Sequence, residues 1–319
     1  MNCRTLLVIG LFFVLSGITQ SFGQSLESTL FTIEWDNDLF VRTDRYYTNG
    51  VEFRLYNGIR GIEAVNDFLA WPYKNHKTVK YRHYYSIDQE IFTPGDIHDS
   101  TLRIGDRPYA GTLLLNYGTQ YFSNDRMIWS TLSVGVLGRY SFSHETQDVV
   151  HDALHVDRGS GWQYQVADAF LINYSVGMRK HFYKTSWQQS GYIAEANLGL
   201  YQTKGTVGLY HQLGNYETNF GERGALDSDN NKLKMSLIVT TKIHYVLFDA
   251  TLNGGISGPE NSRYSIDFTE TNHLVSEFEI GLMYSYKHIS SIMKFNFMSP
   301  EFSTGQYHAW GHIGVGFRF

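Results

Sequence analysis

The chain has 319 residues, of which 16% are aromatic and 18% charged, with a formal net charge of −5. The charged fraction lies below the roughly 25% of ordinary globular chains, and the acidic balance excludes the basic field that recruits nucleic acid. Thirteen histidines are scattered rather than gathered into a metal-binding tract, and a single cysteine excludes a disulfide framework.

In chain order, the first predicted element is a leader. Arg4 closes a short positive stretch, positions 5–19 are apolar, and Ser21, Phe22 and Gly23 precede a cleavage point near Gln24. That is the pattern of a secretory signal peptide over 1–23. Its apolar run of about 15 residues is shorter than the ~20 needed to span a bilayer as a helix. Cys3 falls inside the leader, so the remaining chain, 24–319, is expected to form one cysteine-free domain.

From there the sequence alternates apolar and polar residues with a period of two, which predicts strands. Val51, Phe53 and Leu55 alternate with Glu52, Arg54 and Tyr56. Ile128, Leu132, Val134, Val136, Tyr140 and Phe142 share one parity, as do Tyr192, Ala194, Ala196, Leu198 and Leu200, and Phe278, Ile280, Leu282, Tyr284 and Tyr286. Between Gln147 and Leu154 the alternation lapses, and a short helix is expected there, in an external loop or over a lumen. A soluble sandwich and a membrane barrel would both alternate in this way. The aromatic excess favours the barrel, whose interfaces carry girdles of Tyr and Trp. The last strand places Ile313, Val315, Phe317 and Phe319 on one face, and a terminal strand ending in Phe resembles the assembly signal of bacterial outer-membrane barrels. The reading is therefore all-β: a transmembrane antiparallel β-barrel of about twelve strands with one helix-bearing loop, integral to the outer membrane.

Three blocks are more polar than barrel strands and turns require. They are Trp35-Asp36-Asn37-Asp38-Leu39-Phe40 followed by Thr43 to Gly50, then Gly105-Asp106-Arg107-Pro108-Tyr109-Ala110-Gly111, and Gln147-Asp148-Val149-Val150-His151 with Gly161-Trp162 beyond. Together with the last strand they resemble the lipid A 3′-O-deacylase family of outer-membrane barrels across nearly all of 24–319. The resemblance implies hydrolysis of the 3′ acyloxyacyl ester of lipid A in lipopolysaccharide, with a divalent cation, usually calcium. It also implies catalytic roles for Asn37, Asp38, Thr48, Gln147 and His151. Asp157 stands where the family more usually has Glu, and together with Asp38 it is the expected metal ligand. The implied partner is lipid A in the outer leaflet; the last strand points to the assembly machinery that reads it, and a sealed barrel with one site gives no reason to require more than one chain, so a monomer is expected.

The chemistry of these residues agrees. Ester hydrolysis needs a base for water and charge or donors for the oxyanion; a histidine titrates near neutral pH, and calcium takes hard oxygen ligands such as a carboxylate. Gln147 and His151, four apart, would share one helix face. Neighbouring residues on an ideal strand face opposite ways, so Asn37 and Asp38 can serve one site only if the strand ends or bulges there. After Trp162 the chain departs from the family pattern, with Gln163-Tyr164-Gln165 and then Asp168. A catalytically inactive barrel, serving as a channel or lipid-binding protein, is therefore the alternative, and a glycerophospholipase a third. His288 and Ser290 form an isolated His-x-Ser pair that reads as lumen lining.

Overall fold

A computed structural model describes residues 29–41, 45–57, 80–123, 125–215, 232–255 and 264–319, with Val65, Phe68, Leu69 and Pro72. The expected leader over 1–23 lies outside the described residues. Twelve strands form one closed antiparallel barrel: β1 Leu30–Asn37, β2 Tyr46–Tyr56, β3 Lys80–Thr93, β4 Ala110–Phe122, β5 Arg126–Leu137, β6 Ala169–Lys184, β7 Gln188–Gly199, β8 Gln202–Asn215, β9 Lys234–Asp249, β10 Leu274–Tyr286, β11 Ile289–Met298 and β12 His308–Arg318. Each strand pairs with its chain neighbours, and β1 closes the ring on β12, with Leu30 opposite Arg318 and Asn37 opposite Gly311. Closure removes every sheet edge, so the strand backbones bond to one another around the whole ring, the condition for crossing lipid.

The period of two sorts side chains between two environments. Leu115, Val134, Phe170, Leu198, Val207, Leu209, Leu282 and Phe295 are exposed on the outer wall, while the opposite parity turns inward around a cavity of about 510 Å³. Phe182, Tyr183 and Trp187 stand exposed where β6 turns into β7, as suits an interfacial aromatic girdle. The lumen is filled by paired charge. Lys242 bonds Glu279 at 2.6 Å and Glu277 at 3.3 Å, His244 Nε2 meets Glu277 at 2.9 Å, and Arg54 bonds Glu52. A buried charge is tolerated only when partnered in this way. Ser290 lines the same lumen, and His288 sits in the turn before β11.

One predicted element differs. The alternation read through Tyr140 and Phe142 stops at Leu137, because Gly138 adopts φ +87°, and the chain turns into a 3₁₀ segment at Arg139–Ser141. Positive φ costs glycine nothing, so the strand ends there. Helix α1, Ser143–Leu154, follows at once. A short helix, α2, Ala250–Asn253, sits at the same end of the barrel.

That end is plugged. Tyr46, Leu252, Ile266 and Phe302 pack as one buried cluster. Arg107, itself buried, donates to Glu301 and to Thr251 Oγ1 at 2.9 Å, and its guanidinium lies 4.3 Å from the Phe92 ring centroid. Burial pushes the Glu301 carboxyl up from its ordinary range, and Arg107 opposes the shift.

Candidate active site

Strand β1 ends at Asn37, and a 3₁₀ turn, Asp38–Val41, begins at the next residue. This break is the irregularity that two adjacent polar residues at one site demand. Asn37 Oδ1 accepts the Leu39 N–H at 2.8 Å, and Asp38 Oδ2 accepts the Arg45 N–H at 2.8 Å, so both side chains shape the turn. On β2 the register shifts between Tyr47 and Asn49. Thr48 is the extra residue of this bulge, and its hydroxyl donates to the Ile91 carbonyl at 3.2 Å. Asn37, Asp38 and Thr48 are all buried.

Asp36, the neighbour of Asn37, faces the lumen, where its carboxylate takes the Tyr47 hydroxyl at 3.0 Å and meets His312 Nδ1 at 2.8 Å. By alternation Asn37 faces the outer wall. The pairing then runs straight across the wall: Asn37 opposite Asn49, Asn49 opposite Ile91, Ile91 opposite Gly111. Cross-strand partners share a face, so these four residues form one outward-facing row at the plugged end. With strands 4.7–4.9 Å apart, Asn37 and Ile91 stand roughly 10 Å from one another.

Helix α1 covers the far end of that row. A Cβ on Gly111 would stand within 2.4 Å of the Ser141 and Ser143 hydroxyls, so only glycine lets the start of the helix rest on β4. Ser143 Oγ reaches the Glu90 carbonyl, and Gln89 Nε2 donates to the Ser141 carbonyl. Ile91, though outward-facing, is wholly buried because Tyr109 and Trp162 close over it. The Tyr109 ring packs against Trp162 with centroids 4.9 Å apart and planes tilted by 45°, and the Trp162 indole N–H donates to Gln147 Oε1 at 2.7 Å. The helix therefore lies on the outside of the wall, not over the lumen.

His151, one turn beyond Gln147, is also buried, and its Nδ1 bonds the Asp157 backbone carbonyl. A carbonyl oxygen only accepts, so Nδ1 carries the proton and Nε2 is the basic nitrogen. Arg158 clips this return loop to the helix by bonding Asp152 and Asp148, and its hydrogen bonds hold the Asp152 carboxyl below the usual carboxylate range.

The wall and the helix thus bring Thr48, Ile91, Trp162 and Gln147 into one continuous set of contacts, with Asn37 and Asp38 at one end of the row and His151 on the helix at the other. The Asp157 carboxylate does not join them. It is 85% exposed and lies 3.9 Å from His98 Nδ1. Sequence reasoning passed over Asn49, whose Oδ1 accepts the Trp35 indole N–H at 2.9 Å and which only the strand register sets opposite Asn37. Among the described residues no three His, Cys, Asp or Glu side chains converge as a metal cluster. A cation beside Asp38 would depend on one carboxylate and on neutral oxygens such as Asn37 Oδ1 and Thr48 Oγ1, an all-oxygen set of the kind calcium accepts.

The seating of the helix carries a prediction. Gly111→Val should displace α1 by an ångström or more while the barrel stays closed, and misplacement on that scale costs about 100-fold in turnover. Activity near wild type, with unchanged heat-modifiable migration on gels, would show that the helix need not rest on β4.

The model of a family described as outer membrane protein LpxR matches residues 7–319. Among solved structures, LpxR from Salmonella typhimurium superposes with a TM-score of 0.73 at 17% identity, covering 91% of this chain and 100% of that one. The β domain of the Bordetella autotransporter BrkA gives 0.48 at 10% identity, covering 92% of this chain and 100% of that one. No curated protein sequence matches the chain. The twelve-stranded barrel and a family match that spans the three polar blocks and the last strand establish that the chain belongs to the LpxR family of outer membrane proteins.

Proposed function

We propose that this outer-membrane barrel is a lipid A 3′-O-deacylase, an ester hydrolase acting on lipopolysaccharide in the outer leaflet. The observation that carries the reading is the buried His151 whose Nδ1 proton is fixed by a backbone carbonyl, on a helix seated against the outer wall at the end of the Asn37–Asn49–Ile91–Gly111 row. A site on the outer face of the wall meets a lipid without requiring it to leave the bilayer. In this reading Nε2 of His151 takes a proton from water as the oxygen adds to the ester carbonyl, then returns it to the departing sugar oxygen. Asn37 and Thr48 hold the end of β1 and the bulge of β2 in place, so that Asp38 stands at a fixed position beside the reacting ester.

Calcium would be held by Asp38 with Asn37 and Thr48 oxygens, and when bound it supplies positive charge to the ester carbonyl. Asp157 would join only with its carboxylate turned away from His98. With a single charged ligand, binding should be weak, in the range of about 10⁻⁴–10⁻³ M seen for sites of low ligand charge. The closing strand β12 is the element offered to the assembly machinery, and one chain holds every residue named, so a monomer suffices. The plug of Arg107, Glu301, Tyr46, Leu252, Ile266 and Phe302 speaks against the channel alternative, since it crosses the mouth of the lumen.

Mass spectrometry of lipid A, with and without expression of the chain, is the direct test. The expected result is loss of a mass equal to the 3′ acyloxyacyl group, abolished by chelation and restored by submillimolar to millimolar calcium. Unchanged lipid A would leave an inert barrel, and release of fatty acid from phospholipid vesicles instead would reassign the substrate.

A further inference from the structure

Resting on the deacylase reading, we infer that the side-chain amide of Gln147 is the oxyanion donor of the reaction and that Trp162 is the residue that positions it. An indole N–H can only donate, and Trp162, buried beneath the return loop, gives its proton to Gln147 Oε1 at 2.7 Å. This fixes which end of the amide is which. With Oε1 committed to the indole, Nε2 points away from Trp162.

Gln147 is 3% exposed, and its buried Nε2 has no hydrogen-bond partner among the described residues. Nearly all buried donors find a partner, so a donor left open in a native chain calls for an explanation. An oxygen brought by substrate supplies one. His151 lies four residues on, sharing the helix face with Gln147, so one rigid element carries both the base and the donor. The resting chain shuts Nε2 off from water, which gives a donor its full electrostatic effect.

The step balances. Water forms a new C–O bond at the carbonyl carbon and passes one proton to His151 Nε2, while the carbonyl π pair moves onto oxygen, where Nε2–H of Gln147 receives the negative charge. Collapse restores the C=O bond, breaks the ester C–O bond to the sugar, and hands the proton from His151 to the sugar oxygen.

The same tether appears a second time in the row, where the Trp35 indole N–H occupies Asn49 Oδ1 at 2.9 Å. Asn49 lies on the wall rather than on the helix with the base, so the assignment falls on Gln147.

The experiment uses the purified full-length barrel in detergent, with lipid A as substrate and saturating calcium, and a phosphonate analogue of the ester as a mimic of the tetrahedral intermediate. Gln147→Ala should lower kcat by about 10²–10³-fold, the range for loss of one oxyanion donor, leave KM within about twofold, and weaken phosphonate binding by a similar factor. Gln147→Glu, which replaces the donor by an acceptor of the same shape, should be no better. Trp162→Phe keeps the ring and removes the tether, and should cost about tenfold alone but nothing further on top of Gln147→Ala, because residues acting as a unit are not additive. A kcat within threefold of wild type for Gln147→Ala, unchanged phosphonate binding, or additive losses in the double variant would overturn the assignment while leaving the deacylase reading intact. A wild-type barrel that releases no acyl chain would overturn both.

Discussion

Replacing His151 by Ala is expected to lower kcat for lipid A deacylation by roughly 10²–10⁴-fold, the contribution of a positioned general base, with little change in KM. His151 is held by the Asp157 carbonyl and by its place on a helix that rests on Gly111; neither contact depends on substrate. Removing the imidazole therefore takes away proton transfer without dissolving the surface that receives the lipid. The check is a steady-state comparison of wild type and His151→Ala, with heat-modifiable migration confirming that both barrels are closed. Wild-type turnover in the variant would remove the base from this helix and return the deacylase reading to its alternatives. Asp157→Ala is the useful companion. Since the main chain, not the carboxylate, meets His151, the loss should be small unless Asp157 also holds the cation.

The second large effect is expected at Asp38. The carboxylate accepts the Arg45 N–H, which anchors the turn, and it is the charged group that directly follows Asn37 at the end of β1. Two substitutions separate these roles. Asp38→Ala loses both the turn contact and the charge, and activity should fall below detection, by about 10³-fold. Asp38→Asn keeps an acceptor for Arg45 and loses only the charge, so the turn should persist while activity falls by about 10²–10³-fold, the scale of an electrostatic contribution to an oxyanion. Raising calcium should recover part of the activity of Asp38→Asn and none of that of Asp38→Ala. If Asp38→Asn worked like wild type at every calcium concentration, the carboxylate would be a turn anchor and nothing more.

How much of this was legible without coordinates follows from what is local along the chain. Alternation has a period of two residues, so strands such as β2, β7, β10 and β12 could be read directly, and the barrel class followed from their number, their aromatic rims and the terminal Phe319. The lapse between Gln147 and Leu154 marked a helix for the same reason. The limit appeared at Tyr140 and Phe142, where hydropathy kept its parity while the backbone at Gly138 had already turned. The polar blocks marked candidate residues through a family resemblance, and a shared site for the adjacent Asn37 and Asp38 called for a break in the strand, which ends at Asn37.

Everything that depends on pairing was decided by the folded barrel. Asn37, Asn49, Ile91 and Gly111 become one row only through the register of four strands, and register is a relation between segments that no single segment encodes. Which side of the wall the helix occupies was likewise undetermined until Gly111 was seen to face outward beneath Ser141 and Ser143. The same is true of Asp157, whose carbonyl turns toward His151 while its carboxylate turns to solvent, and of Trp162, whose indole selects the orientation of the Gln147 amide. Sequence by itself determined the class of fold and the cast of side chains, because periodicity and residue type are written along the chain. The tertiary structure decided which of them meet and through which atoms, because hydrogen bonds and close contacts act over a few ångströms and only closure of the barrel brings distant segments within that range.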